Sequence, residues 1–212
     1  MSVTEKIEAF FSRYPRRTFR KGQILLLNGD ELDHVHYLLD GRVKQYDVSY
    51  RGDEIVLNRF KPGTFFPVSL AVNPEPSQYI FEAETNIEVY SAPAKDVVAY
   101  LQENSDVLYD LLGRVYRGVD GILGRMVQLM GSSARSRLAY ELTTEAKRFG
   151  KKLDTGGILL ETHEHAIGEQ AGLSRETVSR EIHKFKKEGL IEISLGGIVI
   201  KDVEALEEIV KV

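Results

Sequence analysis

One stretch in the last quarter of the chain restricts what this sequence can fold into more than any other. Val178, Ile182 and Phe185 follow one another at i, i+4 and i+7, the spacing of a single apolar stripe on a helix. Ser174 precedes the stripe where an N-cap is expected, since its hydroxyl can accept a bond from an early backbone N–H. Residues 175–187 contain five Lys or Arg and two Glu, a local charge of +3, whereas the whole chain of 212 residues carries −4. The sequence therefore predicts a helix with one buried face and one basic face.

Sequence signals on both sides of this helix predict a DNA-binding motif. A shorter helix is expected over His163–Ala171, and Gly172 permits a tight turn between the two helices. After the basic helix, Gly196-Gly197 separates two apolar runs, Leu190–Ile193 and Ile198–Ile200, which predicts a hairpin with a Gly-Gly turn. Two helices joined by a tight turn and followed by a hairpin have the order of a winged helix-turn-helix.

The sequence pattern of the amino-terminal half is typical of an antiparallel sandwich or barrel. A short amphipathic helix is expected over residues 3–12. Five β-rich runs follow at roughly ten-residue spacing, and they are Gln23–Leu27, Val35–Leu39, Arg42–Val48, Glu54–Phe60 and Ile80–Tyr90. Turn residues separate them at Asn28-Gly29, Asp40-Gly41, Arg51-Gly52-Asp53 and Pro62-Gly63, and a loop is expected at Asn73–Pro76.

After Pro93 the apolar period changes from two to about 3.6 residues. A short helix is expected over Asp96–Gln102, and a longer one begins near Ser105. Seven apolar residues of the longer helix are spaced alternately four and three apart, namely Leu108, Leu112, Val115, Val119, Ile122, Met126 and Leu129. A heptad seam held for three repeats predicts that this helix pairs with a copy of itself. The alternative is a long helix that lies on its own sheet.

These changes divide the chain into three predicted parts of an α+β protein. They are an antiparallel sandwich or barrel over 1–104, a dimerisation helix and hinge over 105–131, and a winged helix-turn-helix over 132–212. The hinge is expected at Gly131-Ser132-Ser133, followed by a helix over Ala134–Phe149 and, near the end, a helix over Val203–Val210. The absence of cysteine excludes disulfides and thiolate metal sites. Without a long apolar run or a secretory signal, a cytoplasmic protein is expected.

The basic helix carries side chains suited to reading DNA. Arginine matches guanine O6 and N7 in the major groove, and a carboxylate accepts from cytosine N4. Arg175, Glu176 and Arg180 supply that set and are the candidate base-reading residues. Four further polar residues, Ser174, Thr177, Ser179 and His183, are candidates for contacts with phosphates, which fix register rather than read sequence. The alternative is an ordinary solvated face, which does not explain the surrounding motif.

Residues 164–200 resemble the DNA-binding domain of the cyclic-AMP receptor protein/fumarate-nitrate regulator (CRP/FNR) family. The resemblance is most specific in Gly168-Glu169-x-x-Gly172-Leu173-Ser174-Arg175-Glu176-Thr177-Val178-Ser179-Arg180. It implies that residues 1–104 form a β-roll of the jelly-roll kind, similar to a cyclic-nucleotide-binding domain. It implies base contacts by Arg175, Glu176 and Arg180. It also implies a transcription regulator, a homodimer on a two-fold symmetric site with half-sites of the TGTGA type, and RNA polymerase as a partner. Control by an effector would be allosteric.

The sensor half departs from the nucleotide-binding pattern of that family. Nucleotide-binding members carry a Gly-Glu pair followed by an Arg-Ser or Arg-Thr pair, whereas no Arg or Lys occurs here from Pro62 to Ala94. A cyclic phosphate would therefore lack a cationic partner in that stretch. One expectation is that an unidentified apolar or neutral effector binds in the pocket. The alternative is that aromatic side chains already fill the pocket, so that the protein is constitutively active. The candidate pocket residues are Phe65, Phe66, Val68, Ser77, Gln78, Tyr79, Ile122 and Leu123.

His34 and His36 offer a rival interpretation of the β-roll. At i and i+2 they share one strand face, and Gly29…His34-x-His36…Asp40-Gly41 faintly resembles the first metal motif of cupins. The rival hypothesis is a cupin-like, metal-dependent enzyme with an appended DNA-binding domain. The next histidine is His163, so the additional histidine ligand of a cupin is missing. The expectation is therefore no enzyme, no cofactor and no metal.

Overall fold

A computed structural model of the chain describes residues 1–50, 52, 54–154 and 156–211, so the predicted turn Arg51-Gly52-Asp53 lies partly outside the described residues. The chain forms two compact units, Met1–Tyr116 and Arg117–Val212. The division falls inside one long helix, Ser105–Gly131, which is therefore shared by both units. No helix in the described part of the chain is long and apolar enough to cross a membrane.

The described residues of the first unit form three helices and eight strands before the long helix. In chain order they are α1 (Val3–Phe11), β1 (Arg16–Phe19), β2 (Ile24–Leu26), β3 (His34–Asp40), β4 (Val43–Val48), β5 (Glu54–Phe60), β6 (Phe65–Phe66), α2 (Val68–Val72), β7 (Ile80–Ala83), β8 (Ile87–Pro93) and α3 (Ala94–Glu103). The strands form two antiparallel four-stranded sheets, ordered β1-β8-β3-β6 and β2-β7-β4-β5. This arrangement confirms the predicted antiparallel β-roll.

Alternation along the strands divides the apolar residues between two clusters. Leu38 and Val89 of one sheet share a buried cluster with Val43 and Phe81 of the other, so this cluster fills the space between the sheets. Neighbouring residues of β3 point the opposite way and pack with α1 and α3. That second cluster includes Ile7, Phe11, Val35, Tyr37, Phe65, Val97 and Leu101.

The prediction of one strand over Ile80–Tyr90 was wrong, since β7 and β8 are separate strands. Between them, the Thr85 hydroxyl accepts the Arg42 N–H at 2.9 Å, and the Glu84 N–H donates to the Arg42 carbonyl at 2.9 Å. A turn held by hydrogen bonds to the Arg42 backbone therefore interrupts the ladder. Gly41, at φ +84, approaches this turn so closely that a Cβ would lie 2.2 Å from the Asn86 carbonyl oxygen.

The long helix, α4 (Ser105–Gly131), leaves its heptad seam uncovered in the single chain. All seven seam residues are between 43% and 59% exposed. Of the described α4 residues only Val107 is buried. Apolar residues at this spacing and exposure are expected to need another surface to cover them.

The second unit packs four helices on a small sheet. After α4 come α5 (Ala134–Phe149), β9 (Lys151–Lys152), β10 (Ile158–Leu160), α6 (Glu164–Gln170), α7 (Arg175–Lys187), β11 (Ile191–Ser194), β12 (Gly197–Ile200) and α8 (Val203–Val210). The antiparallel sheet has the order β11-β12-β10-β9, so the hairpin is extended by two further strands. A core of buried side chains from α5, α6, α7, α8 and the sheet holds the unit together.

The hairpin turn lies one residue earlier than predicted. Ser194 pairs with Gly197, so Leu195-Gly196 forms the turn and Gly197 begins β12. Gly197 has φ +135, and a Cβ there would lie 2.0 Å from the Leu160 carbonyl oxygen. The second glycine is therefore required by close packing against β10, while the turn takes Leu195 as its first residue.

Candidate nucleic-acid interface

Helix α7 is anchored by the apolar stripe seen in the sequence. Val178, Ile182 and Phe185 are all buried in the core of the second unit. Ser174 is the N-cap, and its hydroxyl accepts the Thr177 N–H at 3.4 Å and lies 3.1 Å from the Thr177 hydroxyl. These contacts fix both the start of the helix and the direction of its opposite face.

Small residues bring α6 close beneath α7. A Cβ on Gly168 would lie 2.3 Å from a Val178 methyl group, so the helices meet at the glycine backbone. Gly172 takes φ +61, a left-handed conformation that ends α6 and turns the chain into α7. The helix-turn-helix spacing thus depends on both glycines.

The predicted DNA-contacting residues lie at the start of α7 or on the face of α7 that the core leaves open. Arg175, Glu176 and Arg180 are exposed. Of the predicted phosphate-contacting residues, Ser174, Ser179 and His183 are exposed and Thr177 is half-buried. Backbone and Ser174 hydrogen bonds at the start of the helix lower the pKa of Glu176, which keeps its carboxylate charged as an acceptor.

Sequence reasoning missed a buried carboxylate beneath this face. Glu181 is 4% exposed, and its Oε1 accepts from Arg180 Nε at 3.3 Å and from Lys184 Nζ at 2.9 Å. Burial opposes its ionisation, but the hydrogen bonds from Lys184 and Arg180 outweigh burial and lower the pKa of Glu181. Its place at i+3 from Val178, on the flank of the apolar stripe, is the signal that could have identified it.

A second buried carboxylate joins α4 to α5. Glu141 is 2% exposed and accepts from Arg125 Nε and Nη2, both at 2.7 Å, in a two-pronged ion pair. Nearby, the Tyr140 hydroxyl donates to the Gly121 carbonyl at 3.3 Å, and a Cβ on Gly124 would lie 2.7 Å from that hydroxyl. The end of α4 is therefore fastened to α5 across the predicted hinge.

A cleft separates α7 from the hairpin. Its volume is about 390 Å³, and its walls include Arg175, Val178 and Ser179 of α7 and Ile193, Ser194 and Gly197 of the hairpin. The start of α6, with His163 and His165, closes a further side. The exposed face of α7 and the hairpin thus border the same open space.

Within the first unit, the predicted pocket residues have different surroundings. Phe65, Phe66 and Ser77 are buried, Val68 and Tyr79 are half-buried, and Gln78 is exposed. Phe66 stacks with Phe60, at 4.9 Å between ring centroids, and with Phe81, at 6.3 Å. In the second unit, Ile122 and Leu123 are exposed on α4. Aromatic rings therefore occupy the interior of the roll near Phe66.

Arg114 of α4 is a cation that sequence reasoning missed at this loop. Its Nη1 donates to the Gly63 carbonyl at 3.3 Å, and its Nε donates to the Asp110 carboxylate at 2.6 Å. The guanidinium is thus already engaged by a carboxylate and a carbonyl. Arg114 lies outside the stretch 62–94, which contains no Arg or Lys that could pair with a cyclic phosphate.

His34 and His36 both line a separate cleft of about 470 Å³, together with Arg17, Asp30 and other residues. His36 is buried, with its Nδ1 2.8 Å from the Ser91 hydroxyl oxygen, while His34 is half-buried. Burial, and to a smaller extent the charges of His34 and Arg17, lower the pKa of His36 to about 4. Among the described residues, no group of three or more His, Asp or Glu side chains is arranged to hold a metal ion.

Family models match both halves of the chain. The cyclic nucleotide-binding domain matches residues 16–104, and the Crp-like helix-turn-helix domain matches residues 136–209. The cyclic AMP receptor protein of Thermus thermophilus is 27% identical over 97% of this chain and 92% of its own length. The global nitrogen regulator of a Synechocystis strain is 27% identical over 90% of this chain and 86% of its own length.

Solved structures share the fold. A CooA mutant from Carboxydothermus hydrogenoformans superposes with a TM-score of 0.77 at 23% identity, covering 94% of this chain and 89% of that one. A CRP/FNR-family transcriptional regulator from Thermus thermophilus superposes with a TM-score of 0.74 at 23% identity, covering 93% and 99%. With both domains matched in order, and with relatives that are transcription regulators rather than enzymes, the chain belongs to the CRP/FNR family of transcription regulators and binds DNA through its helix-turn-helix.

Proposed function

We propose that this regulator reads a two-fold symmetric DNA site through Arg175, Glu176 and Arg180. The observation that carries the proposal is that these three side chains are exposed at the start of α7, while the apolar stripe of the same helix is buried. Arginine forks suit guanine and a carboxylate suits the cytosine amino group, so the set matches half-sites of the TGTGA type. Ser174, Thr177, Ser179 and His183 contact the flanking phosphates and fix the register.

The functional unit in this proposal is a homodimer that pairs along α4. Seven apolar side chains at heptad spacing are exposed in the single chain, and the relatives belong to a family that typically acts as dimers. A two-fold axis between paired helices gives each winged helix one half of a palindrome. The proposal divides the chain into three parts: residues 1–104 sense the effector, residues 105–131 form the dimer, and residues 132–212 bind DNA.

The sensing half responds to a ligand other than a cyclic nucleotide or is constitutively in its active form. Support comes from the aromatic rings stacked at Phe66 and from the stretch 62–94, which contains no Arg or Lys. Arg114 approaches Gly63 but is already paired with Asp110. An effector would act by favouring one orientation of the winged helices over another.

The remaining partners in the proposal follow from this role. A regulator bound beside a promoter acts on RNA polymerase. It works in the compartment that holds the DNA, and for a bacterial-type regulator this compartment is the cytoplasm. No enzymatic step is included, because the relatives are regulators and the exposed α7 face offers binding rather than reaction chemistry.

The proposal is tested by selecting bound sequences from a pool of random duplexes with the full-length protein. The expected result is an inverted repeat whose half-sites resemble TGTGA, with their centres separated by about one helical turn of 34–36 Å. An Arg175→Ala, Arg180→Ala double variant serves as the control and should enrich no such repeat. Enrichment of a single, unrepeated motif by the wild type would contradict the dimeric arrangement. Enrichment of the same repeat by the double variant would contradict the base-reading set.

A further inference from the structure

The tip of the hairpin presents an apolar side chain to solvent. Leu195, the first residue of the turn, is as exposed as in an extended chain, at 110% of its reference area. Ile193 on the preceding strand is 36% exposed. From Gly189 to Ile200 the sequence contains no Lys or Arg, and Glu192 is paired with Lys201 at 2.8 Å. A hairpin without free cations is poorly suited to hold phosphates electrostatically.

The hairpin is braced against β10, and Ile198 and Ile200 of β12 share the buried core with α7. The Ser194 hydroxyl donates to the Gly197 carbonyl at 3.1 Å across the turn. Gly197 packs its backbone against the Leu160 carbonyl, and β12 pairs with β10 over Leu160↔Ile198 to Ile158↔Ile200. Leu195 is therefore carried on a braced strand pair, and its exposed position is set before any DNA is bound.

The cleft between the hairpin and α7 indicates where DNA would run. Arg175 and Ser179 border it on the helix side, and Ser194 borders it on the hairpin side. When α7 lies in the major groove, the adjacent sugar-phosphate strand occupies the space beside the helix. Because that strand separates the major groove from the minor groove, the hairpin tip beyond it faces the minor groove.

We propose that Leu195 enters the minor groove next to each half-site and makes apolar contact there. This inference rests on the proposed function of α7, because α7 sets the position of the tip. Apolar side chains are used by other proteins in this groove as wedges against sugars and base steps. The guanine N2 amino group projects into the minor groove, whereas A·T pairs lack it. The tip therefore favours A·T over G·C at flanking positions that α7 does not touch.

The test measures dissociation constants on duplexes that differ only in the pairs flanking the half-sites. The flanks are A·T, G·C or inosine·C, since inosine·C lacks the N2 amino group but keeps the major-groove edge of G·C. Wild type should bind A·T and inosine·C flanks about five- to tenfold more tightly than G·C flanks. Leu195→Ala should lose that preference and bind the A·T-flanked site about five- to tenfold more weakly. Its salt dependence should not change, because no cation is removed.

Val72→Ala is the matched control, because Val72 is an aliphatic residue 60% exposed on α2. It should bind all three duplexes as the wild type does. Equal affinity of Leu195→Ala and wild type on all three flanks would overturn the proposal, as would inosine·C flanks that behave like G·C flanks. Failure of the base-reading set appears separately, as loss of discrimination between the half-site core and a scrambled core.

Discussion

At the scale of single residues, His36 makes the stability of the first unit depend on pH. Burial lowers its pKa to about 4, so the folded protein keeps this imidazole neutral where an unfolded chain would protonate it near pH 6.5. The stabilisation is complete above about pH 6.5 and is lost as the pH falls through 4. We expect His36 alone to lower the free energy of unfolding by roughly 3 kcal/mol over this range.

Urea unfolding of wild type and His36→Gln at pH 7, 5.5 and 4 measures this dependence. The variant should be less stable at pH 7 and lose less stability as the pH falls. His34→Gln, at the half-buried neighbour in the same strand, is the control and should stay close to the wild type, because burial and not the charge of His34 is the main cause of the lowered pKa of His36. Parallel curves for wild type and His36→Gln would show that His36 is not the group responsible.

The candidate DNA-contacting residues were predictable because an amphipathic helix fixes its own faces. Once Val178, Ile182 and Phe185 are buried, the 3.6-residue period directs Glu176 and Arg180 outward. Arg175 lies beside the apolar stripe and is exposed because it is the first residue of the helix. The pairing of Arg114 with the Gly63 carbonyl was not predictable, since it joins residues 51 positions apart in the sequence. Contacts of that kind depend on tertiary packing, which no local pattern contains.

At the scale of elements, the contact between α4 and α5 bears on the predicted hinge at Gly131-Ser132-Ser133. The ion pair of Arg125 with buried Glu141 spans this break between the helices. Burial opposes the charge of Arg125, but the hydrogen bonds from its guanidinium to Glu141 outweigh burial and raise its pKa. The pair therefore holds the angle between α4 and α5 within the second unit.

Glu141→Gln leaves a partly buried guanidinium without its counterion and should lower the free energy of unfolding by roughly 3 kcal/mol. Glu207→Gln is the control, because Glu207 forms a surface ion pair with Lys147 at 2.7 Å, and its loss should cost far less stability than that of Glu141. Chemical denaturation of both variants gives the comparison. Equal, small losses would mean that the pair contributes no more than a surface contact.

Element types were largely predictable, whereas their ends and partners were not. The predictions for Glu54–Phe60, Ala134–Phe149 and Val203–Val210 agree with the observed bounds because periodicity and caps define these elements locally. The β7–β8 break was missed, since its turn is stabilised by Arg42, which lies between β3 and β4, far from it in the sequence. The two-residue strand β6 was missed as well, because it is too short to show a period.

At the scale of the whole molecule, the α4 seam should control the oligomeric state. Val119→Lys places a charge in the middle of the seam and should convert the dimer to a monomer. Val127→Lys is the matched control, because Val127 is 65% exposed on the same helix outside the heptad seam and should leave the dimer intact. Molar mass by light scattering distinguishes the outcomes. A dimer that persists in Val119→Lys would require a different interface.

Cyclic AMP should neither raise the melting temperature nor change DNA affinity, because the stretch 62–94 offers the cyclic phosphate no cation and Arg114 is paired with Asp110. A ligand present at 100 times its Kd would add about 2.7 kcal/mol of stability, which thermal unfolding detects easily. A clear upward shift in melting temperature with cyclic AMP would refute the proposed loss of nucleotide sensing.

The central claim, that α7 reads bases for a dimer on two-fold symmetric DNA, is tested most directly with Arg180→Ala. Dissociation constants are measured for wild type and variant on the selected palindrome and on random duplex at one salt concentration. We expect a loss of about 1–3 kcal/mol per half-site on the palindrome and little change on random DNA. An equal loss on both duplexes would mean that Arg180 contacts only the backbone, and would contradict the claim.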